Sequence, residues 1–167
     1  MAHGDTLDVP VEVQETLCPL YVESIALRPD SAGDGTHRGG LGTEKVVRVL
    51  ADSSVSVQID RTKCLPWGLE GGMDGVAADA TIEPVEGAHI SVLKGTIAVK
   101  AGDRLRLRTG GGGGFGPPAG RDPEAVAADV AAGYISAGHA ASVYGVITDS
   151  DGAIDVAATE TCRAAMG

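Results

Sequence analysis

Valine alternates with proline or polar residues through Val9-Pro10-Val11-Glu12-Val13-Gln14, a period of two that predicts a strand. Tyr21-Val22-Glu23-Ser24-Ile25-Ala26-Leu27 predicts another, ended by the turn-forming Pro29-Asp30-Ser31-Ala32-Gly33. Lys45 to Leu50 and Val55 to Ile59 are β-branched runs, and Ala51-Asp52-Ser53-Ser54 between them predicts a hairpin loop. From Asp60 to Glu86 the pattern is irregular, with Pro66, Gly68, Gly71, Gly72 and Gly75. Strands are expected again at Ile90–Leu93 and Thr96–Val99. The run Arg104-Leu105-Arg106-Leu107-Arg108 alternates throughout, with its leucines toward a core and its arginines away from it.

After Arg108 the chain changes character. Five consecutive glycines, Gly110 to Gly114, precede Phe115-Gly116-Pro117-Pro118, which neither a helix nor a central strand accommodates. Two forms remain: a flexible linker, or a tightly packed, polyproline-II-like segment where only glycine fits. The second is preferred, because linkers of this kind usually carry serine and no central phenylalanine. Beyond it, Asp122-Pro123 signals a helix start, with Val126 and Val130 on one face and a stop at Gly133. Ser136 caps a second helix that runs through His139, Val143 and Tyr144 to Gly145, and Asp155 caps a last one reaching Ala165. Val146 to Ala153 between them predicts a short strand or turn. The expected class is mainly β, barrel-like or sandwich, with Gly-rich polyproline-II-like segments and a short α-helical carboxyl-terminal region. The expected divisions are a β-rich domain over 1–109, a Gly/Pro-rich segment over 110–121 and a helical region over 122–167.

Composition narrows the function. Hydrophobic residues are 43% of the 167 but aromatic ones only 3%, so a core must rest on Val, Ile, Leu and Ala. The formal charge of −10 argues against nucleic acid, which calls for a basic patch. No apolar run is long enough for a bilayer, and residues 1–14 do not look like a signal peptide, so a soluble cytoplasmic protein is the expectation. Cys18, Cys64 and Cys162 form no zinc spacing and are expected to be buried free thiols.

Several motifs dissolve on inspection. Gly111-x-Gly113-x-x-Gly116 matches a dinucleotide fingerprint only trivially, and Pro117-Pro118 stand where the helix should begin. No phosphate loop of the G-x-x-x-x-G-K-[ST] kind is present. Asp149 to Glu160 superficially follows a calcium loop, but Ala153 and Ile154 occupy the fifth and sixth positions, so a turn before an Asp-capped helix explains it better. His3, His37, His89 and His139 lack partners at ligand spacing, and His37 is expected to be an exposed loop residue. The loop from Arg28 through Gly42 suits either a compact turn stapled by arginine–carboxylate contacts or an anion-binding nest. The structural form is favoured, because nothing there supplies a nucleophile or base.

The same loop carries a family resemblance. Leu27-Arg28-Pro29-Asp30-Ser31-Ala32-Gly33-Asp34-Gly35-Thr36-His37-Arg38-Gly39-Gly40-Leu41-Gly42 resembles the RPDSGGxGxxRGGLG signature of the hydantoinase B/oxoprolinase family. Asp60-Arg61 with Pro66-Trp67-Gly68-Leu69-Glu70-Gly71-Gly72 resembles its DR…PWGLxGG. Gly110 to Gly116 with Pro118 resembles PGGGGYGDP, with Thr109 and Pro117 departing from that pattern. Arg121-Asp122-Pro123-Glu124-Ala125-Val126 with Asp129-Val130, and Tyr144-Gly145-Val146, complete the ordered set.

The resemblance implies the carboxyl-terminal region of a polypeptide that is usually several times longer. It implies a larger hydantoinase-B-like subunit and hydantoinase-A-like ATPase subunits as partners. ATP and a divalent metal are expected on those partners, with no cofactor and no metal in this chain. An assembly role in a multisubunit ATP-dependent carboxylase of ketones is expected first, since a split gene plan looks more like those enzymes. The alternative is a component of an ATP-dependent cyclic amide hydrolase that contributes to the active site directly. Arg38, Arg61 and Trp67 are then the candidates: arginines to hold a carboxylate or phosphate, tryptophan as an apolar wall. Gly39, Gly40, Gly42, Gly112, Gly113 and Gly114 are the expected structural glycines.

Overall fold

The computed structural model describes residues 9–60 and 62–166. Its strands are mainly antiparallel, with short helices that include a carboxyl-terminal one, as the alternation and capping signals predict. Two compact units divide the chain. One comprises the described residues up to Ile25, Lys45–Gln58 and Ala80–Leu107; the other comprises Ala26–Glu44, Ile59–Asp79 and the chain from Arg108 onward.

Most of the first unit is sheet. Strands β1 (Leu20–Leu27), β2 (Thr43–Val49), β3 (Ser53–Gln58), β4 (Asp79–Glu83), β5 (Ile90–Ser91), β6 (Lys94–Val99) and β7 (Arg104–Arg108) follow in chain order. Five of them form one sheet in the order β1-β2-β7-β4-β5, and β3 pairs with β6 in a separate two-stranded sheet. Val46, Val47, Val49, Ala80, Ile82 and Leu105 are buried there. On β7 the arginines turn from the core to acidic neighbours: Arg104 Nε lies 2.7 Å from Glu23 and Arg106 Nε 2.6 Å from Glu83. The hydrogen bond from Arg104 holds the Glu23 carboxyl below its ordinary pKa, and that from Arg106 does the same for Glu83. Arg106–Glu83 joins neighbouring strands β7 and β4, where opposite charges favour one register over its slips, whereas Arg104 reaches past β2 to Glu23 on β1 in an exposed pair that adds little stability.

Four expectations need correction. Val11–Leu17 is a helix, α1, not a strand. Pro10 sets its start, since its carbonyl accepts from the N–H groups of both Val13 and Gln14, and three alternating valines are too few to outweigh the helix formers Glu12, Gln14, Glu15 and Leu17. The 45–50 and 55–59 runs are not a hairpin, because β2 and β3 belong to different sheets and β3 takes its register, Ser53↔Val99 to Gln58↔Lys94, from β6. The supposedly irregular stretch contains β4, whose Ala80 and Ile82 alternate inward. Cys18 and Cys64 are exposed, and Cys162 is half-buried.

The second unit is built around the glycine run. Gly111 N–H donates to Val76 and Gly114 N–H to Met73, three residues on in one segment and three back in the other. Gly112 N–H donates to Gly40 and Phe115 N–H to His37, with the same step of three along the loop before β2. A repeat of three residues, shared by two flanking segments, is that of a polyproline-II-type helix. A Cβ on Gly111, Gly113 or Gly114 would fall inside 3.0 Å of the carbonyl oxygen of Ser31, Trp67 or Asp34 respectively. Gly39 and Gly42 are equally tight against backbone, Gly112 is looser at 3.2 Å from the Gly40 nitrogen, and nothing lies within 4 Å of a Cβ on Gly40.

After the run, α2 (Pro123–Ala131) starts at Asp122, whose side chain accepts from the Glu124 N–H. Ser136 caps the short α3 (Ala137–His139), a single π-turn follows over Ala140–Tyr144, and Gly145 closes it at φ 64°. Val126, Val130, Ile135, Ala140, Tyr144 and Val146 form the core of this part. The final helix α4 (Val156–Met166) is capped by Asp155, which accepts from the Ala158 N–H. Among the described residues no helix is long and apolar enough to cross a membrane.

The glycine contacts give an asymmetric expectation. Gly113→Ala should lower stability by at least about 3 kcal/mol or abolish folding, because backbone must move to admit the methyl group. Gly40→Ala, in open space, should be neutral or stabilise by up to about 1 kcal/mol through the unfolded chain. Paired thermal melts check this; equal effects at the two positions would refute the close-packed account.

Candidate functional site

The signature loop, residues 28–42, meets the helical part of its own unit through three side chains spaced four residues apart. Asp30 Oδ1 accepts from the Ser136 N–H at 2.7 Å, and Asp30 itself is held at φ 54°. Asp34, only 4% exposed, accepts from the Tyr144 hydroxyl at 2.7 Å and from His139 Nε2 at 2.9 Å. Arg38 grips Asp129 on α2 with two bonds, Nε to Oδ2 at 3.0 Å and Nη2 to Oδ1 at 3.2 Å.

The π-turn explains how His139 and Tyr144 reach one carboxylate. Residues five apart on an α-helix stand about 140° apart around the axis. The i→i+5 bonding of a π-turn lowers that angle, and the Gly145 N–H bonds back to the Ala140 carbonyl in that manner. The two rings then lie edge to face at 6.3 Å between centroids. Tyr144 is fully buried, and burial, assisted by the hydrogen bond to Asp34, pushes its hydroxyl far above the ordinary phenol pKa. The His139 imidazole is pushed up from its ordinary value chiefly by its hydrogen bond to Asp34, against the opposing effect of burial.

Of the residues singled out from sequence, Arg38 is committed to this framework. Its Nη1 also donates to the Gly39 carbonyl at 2.8 Å, and its guanidinium lies 5.4 Å from the centre of the Tyr134 ring. Its carboxylate partner is 91 residues away in sequence, not Asp30 or Asp34 of its own loop. Arg121 Nη2 shares Asp129 Oδ2 at 2.8 Å, so two guanidinium groups converge on one carboxylate. Trp67 is exposed, and Arg61 lies outside the described residues. His37 is exposed, with its ring 6.2 Å from that of Phe115. Sequence reading passed over His139, Tyr144, Asp129 and Arg121. Three of them stand in the motifs Arg121-to-Val130 and Tyr144-Gly145-Val146, and His139 shares a helix signal with Tyr144, but no local spacing ties any of them to the loop, to which only the three-dimensional fold brings them.

The arrangement suits fixation more than turnover. Amide groups that could have formed an anion nest are taken: Gly33 N–H by Gly112, Thr36 N–H by Gly116, Gly39 N–H by Gly33 and Gly42 N–H by the Ser31 hydroxyl. Among the described residues no three metal-capable side chains converge. The Asp34–His139 contact carries a pH signature. A raised histidine pKa stabilises fully below the unfolded value near 6.5 and loses that contribution as pH climbs through the higher folded value. His139→Gln should therefore cost more stability at pH 6 than at pH 9, read as the difference in unfolding midpoint; a gap that is constant or widens with pH would exclude a charged latch.

Comparison with known proteins agrees with the loop signatures. The family model for hydantoinase B/oxoprolinase matches residues 1–118. The putative B-type D-/L-hydantoinase polypeptide of Pseudomonas sp. (strain NS671) is 35% identical over 153 residues, which are 89% of this chain and 26% of that protein. The beta-type caprolactamase polypeptide of Pseudomonas jessenii is 30% identical over 168 residues, 97% of this chain and 29% of that protein. The crystal structure of the ATP-dependent caprolactamase from the same organism superposes with a TM-score of 0.80 at 28% identity, over 93% of this chain and 28% of that one. A nucleotide-free acetone carboxylase structure superposes with a TM-score of 0.76 at 23% identity, over 95% of this chain and 26% of that one. The chain thus spans little more than a quarter of the length of these relatives, and by sequence and fold alike it belongs to the hydantoinase B/oxoprolinase family.

Proposed function

We propose that the chain is the carboxyl-terminal structural block of a hydantoinase-B-type subunit in a multisubunit ATP-dependent enzyme. It completes the fold of a larger B-type polypeptide and works with A-type ATPase subunits, which handle ATP; the divalent metal also resides on a partner. The observation that supports this most is the commitment of the signature loop. Asp30, Asp34 and Arg38 all spend their side chains on the helical region of the same unit. A group spent in this way positions other parts and does not itself meet a substrate.

For the reaction, opening of a cyclic amide takes precedence over carboxylation of a ketone. The split gene plan ranked them the other way. The hydantoinase and caprolactamase relatives, at 35% and 30% identity, speak for the cyclic amide, whereas the acetone carboxylase, at 23%, shares the fold alone. The complete complex should hydrolyse ATP in response to hydantoin, caprolactam or 5-oxoproline, and not in response to acetone or acetophenone with bicarbonate. Stimulation by the ketones alone would reverse the order. A chain isolated from its source as an active monomer would overturn the assembly role.

Arg38→Lys separates positioning from direct contact with substrate. Lysine keeps the charge but cannot span both Asp129 oxygens and the Gly39 carbonyl. The variant should lose about 1.5–3 kcal/mol of stability, and the complex that still assembles should keep its turnover per assembled enzyme. Normal stability with lost turnover would place Arg38 at the substrate.

A further inference from the structure

Bridged residues on neighbouring extended segments put their side chains on the same side. Phe115 is bridged to His37 on one flank and to Leu69 on the other, so these three form a row across the glycine block. The row is open to solvent: Phe115 is 49% exposed, Leu69 56%, and Trp67, two residues before it, 67%. The chain has one phenylalanine and one tryptophan, and both stand at this surface. An aromatic-poor protein that leaves its two largest apolar rings outside its core has them where interfaces concentrate such residues.

The backbone is bent to present this row. The Gly72 N–H donates to the Leu69 carbonyl at 2.9 Å, and the two residues between, Glu70 and Gly71, have φ of 51° and 87°. Positive φ at both central positions suits glycine; Glu70 adopts it against the steric preference of a residue with a β-carbon.

We infer that the His37–Phe115–Leu69 row, with Trp67 beside it, is the docking surface for the remainder of a hydantoinase-B-type polypeptide. The inference rests on the assembly role proposed above. The occupant follows from length: this block matches only 26–29% of the hydantoinase and caprolactamase polypeptides. In those relatives nearly three quarters of the polypeptide lies outside the matched block and is available to cover it. Scattered exposed apolar residues are ordinary on any protein, but bridge-aligned aromatic and aliphatic groups form a contiguous patch of the kind that partners cover.

The test uses the complete complex from the native source. The photo-reactive residue p-benzoylphenylalanine replaces Leu69, Phe115 or, as a control on the other unit, Val85, which is 70% exposed. Irradiation should link positions 69 and 115, and not 85, to hydantoinase-B-type sequence outside the quarter matched here. Phe115→Ser with Leu69→Ser should weaken that association at least tenfold while the melting temperature of the chain itself stays unchanged. Recovery of the chain with no B-type polypeptide would sink the assembly role. A complex that forms, but links only through position 85 or links 69 and 115 only to an A-type ATPase, would overturn the docking surface and leave the assembly role standing. Serine variants that assemble with undiminished affinity would overturn it as well.

Discussion

Where a carbonyl oxygen occupies the place a β-carbon would need, the backbone itself becomes the packing unit. That constraint governs the second unit of this protein. Gly111, Gly113 and Gly114 meet carbonyls of three different residues at such range, and the segments around them supply the matching hydrogen bonds. Side-chain packing is replaced there by polar backbone pairing. An unpaired amide there costs as much as a lost core contact. Loops with no helix or ladder of their own thereby become as fixed as regular elements.

The charged side chains of the signature loop follow from this. A glycine-rich segment has few apolar groups to anchor it, so its orientation has to come from polar ones. Asp30, Asp34 and Arg38 supply it, at four-residue steps, each to a different point of the helical region. The partners are well protected, with side-chain exposures of 16% for Arg38 and 10% for Asp129. Buried groups of this kind are costly to leave single, so each holds its partner in place more firmly than a surface ion pair would.

Much of this fold was legible in the chain, for reasons that can be traced to particular residues. Caps at Asp122, Ser136 and Asp155 located the three carboxyl-terminal helices, because their signals are local. The alternation in Arg104–Arg108 located β7. The glycine run was recognisable as packed rather than loose from its central phenylalanine. Strand pairing was not legible: β3 looks like the hairpin partner of β2, and only its distant match with β6 decides otherwise. The loop's arginine and aspartates could be picked out, but their partners could not. Asp34 and Tyr144 are 110 residues apart, and no local pattern connects them.

That separation has a consequence during synthesis. A ribosome makes the loop around Asp34 more than a hundred residues before the π-turn that satisfies it. Until Gly145 has cleared the exit tunnel, the carboxylate has neither of its donors, and the glycine run has no finished wall on that side. The signature loop must wait, hydrated and unpaired, while the intervening stretch emerges. Long-range contacts of this sort slow folding, since loop closure comes before any reward. A nascent chain stalled before Tyr144 would expose backbone edges from several glycine segments at once, and such edges are what chaperones shield.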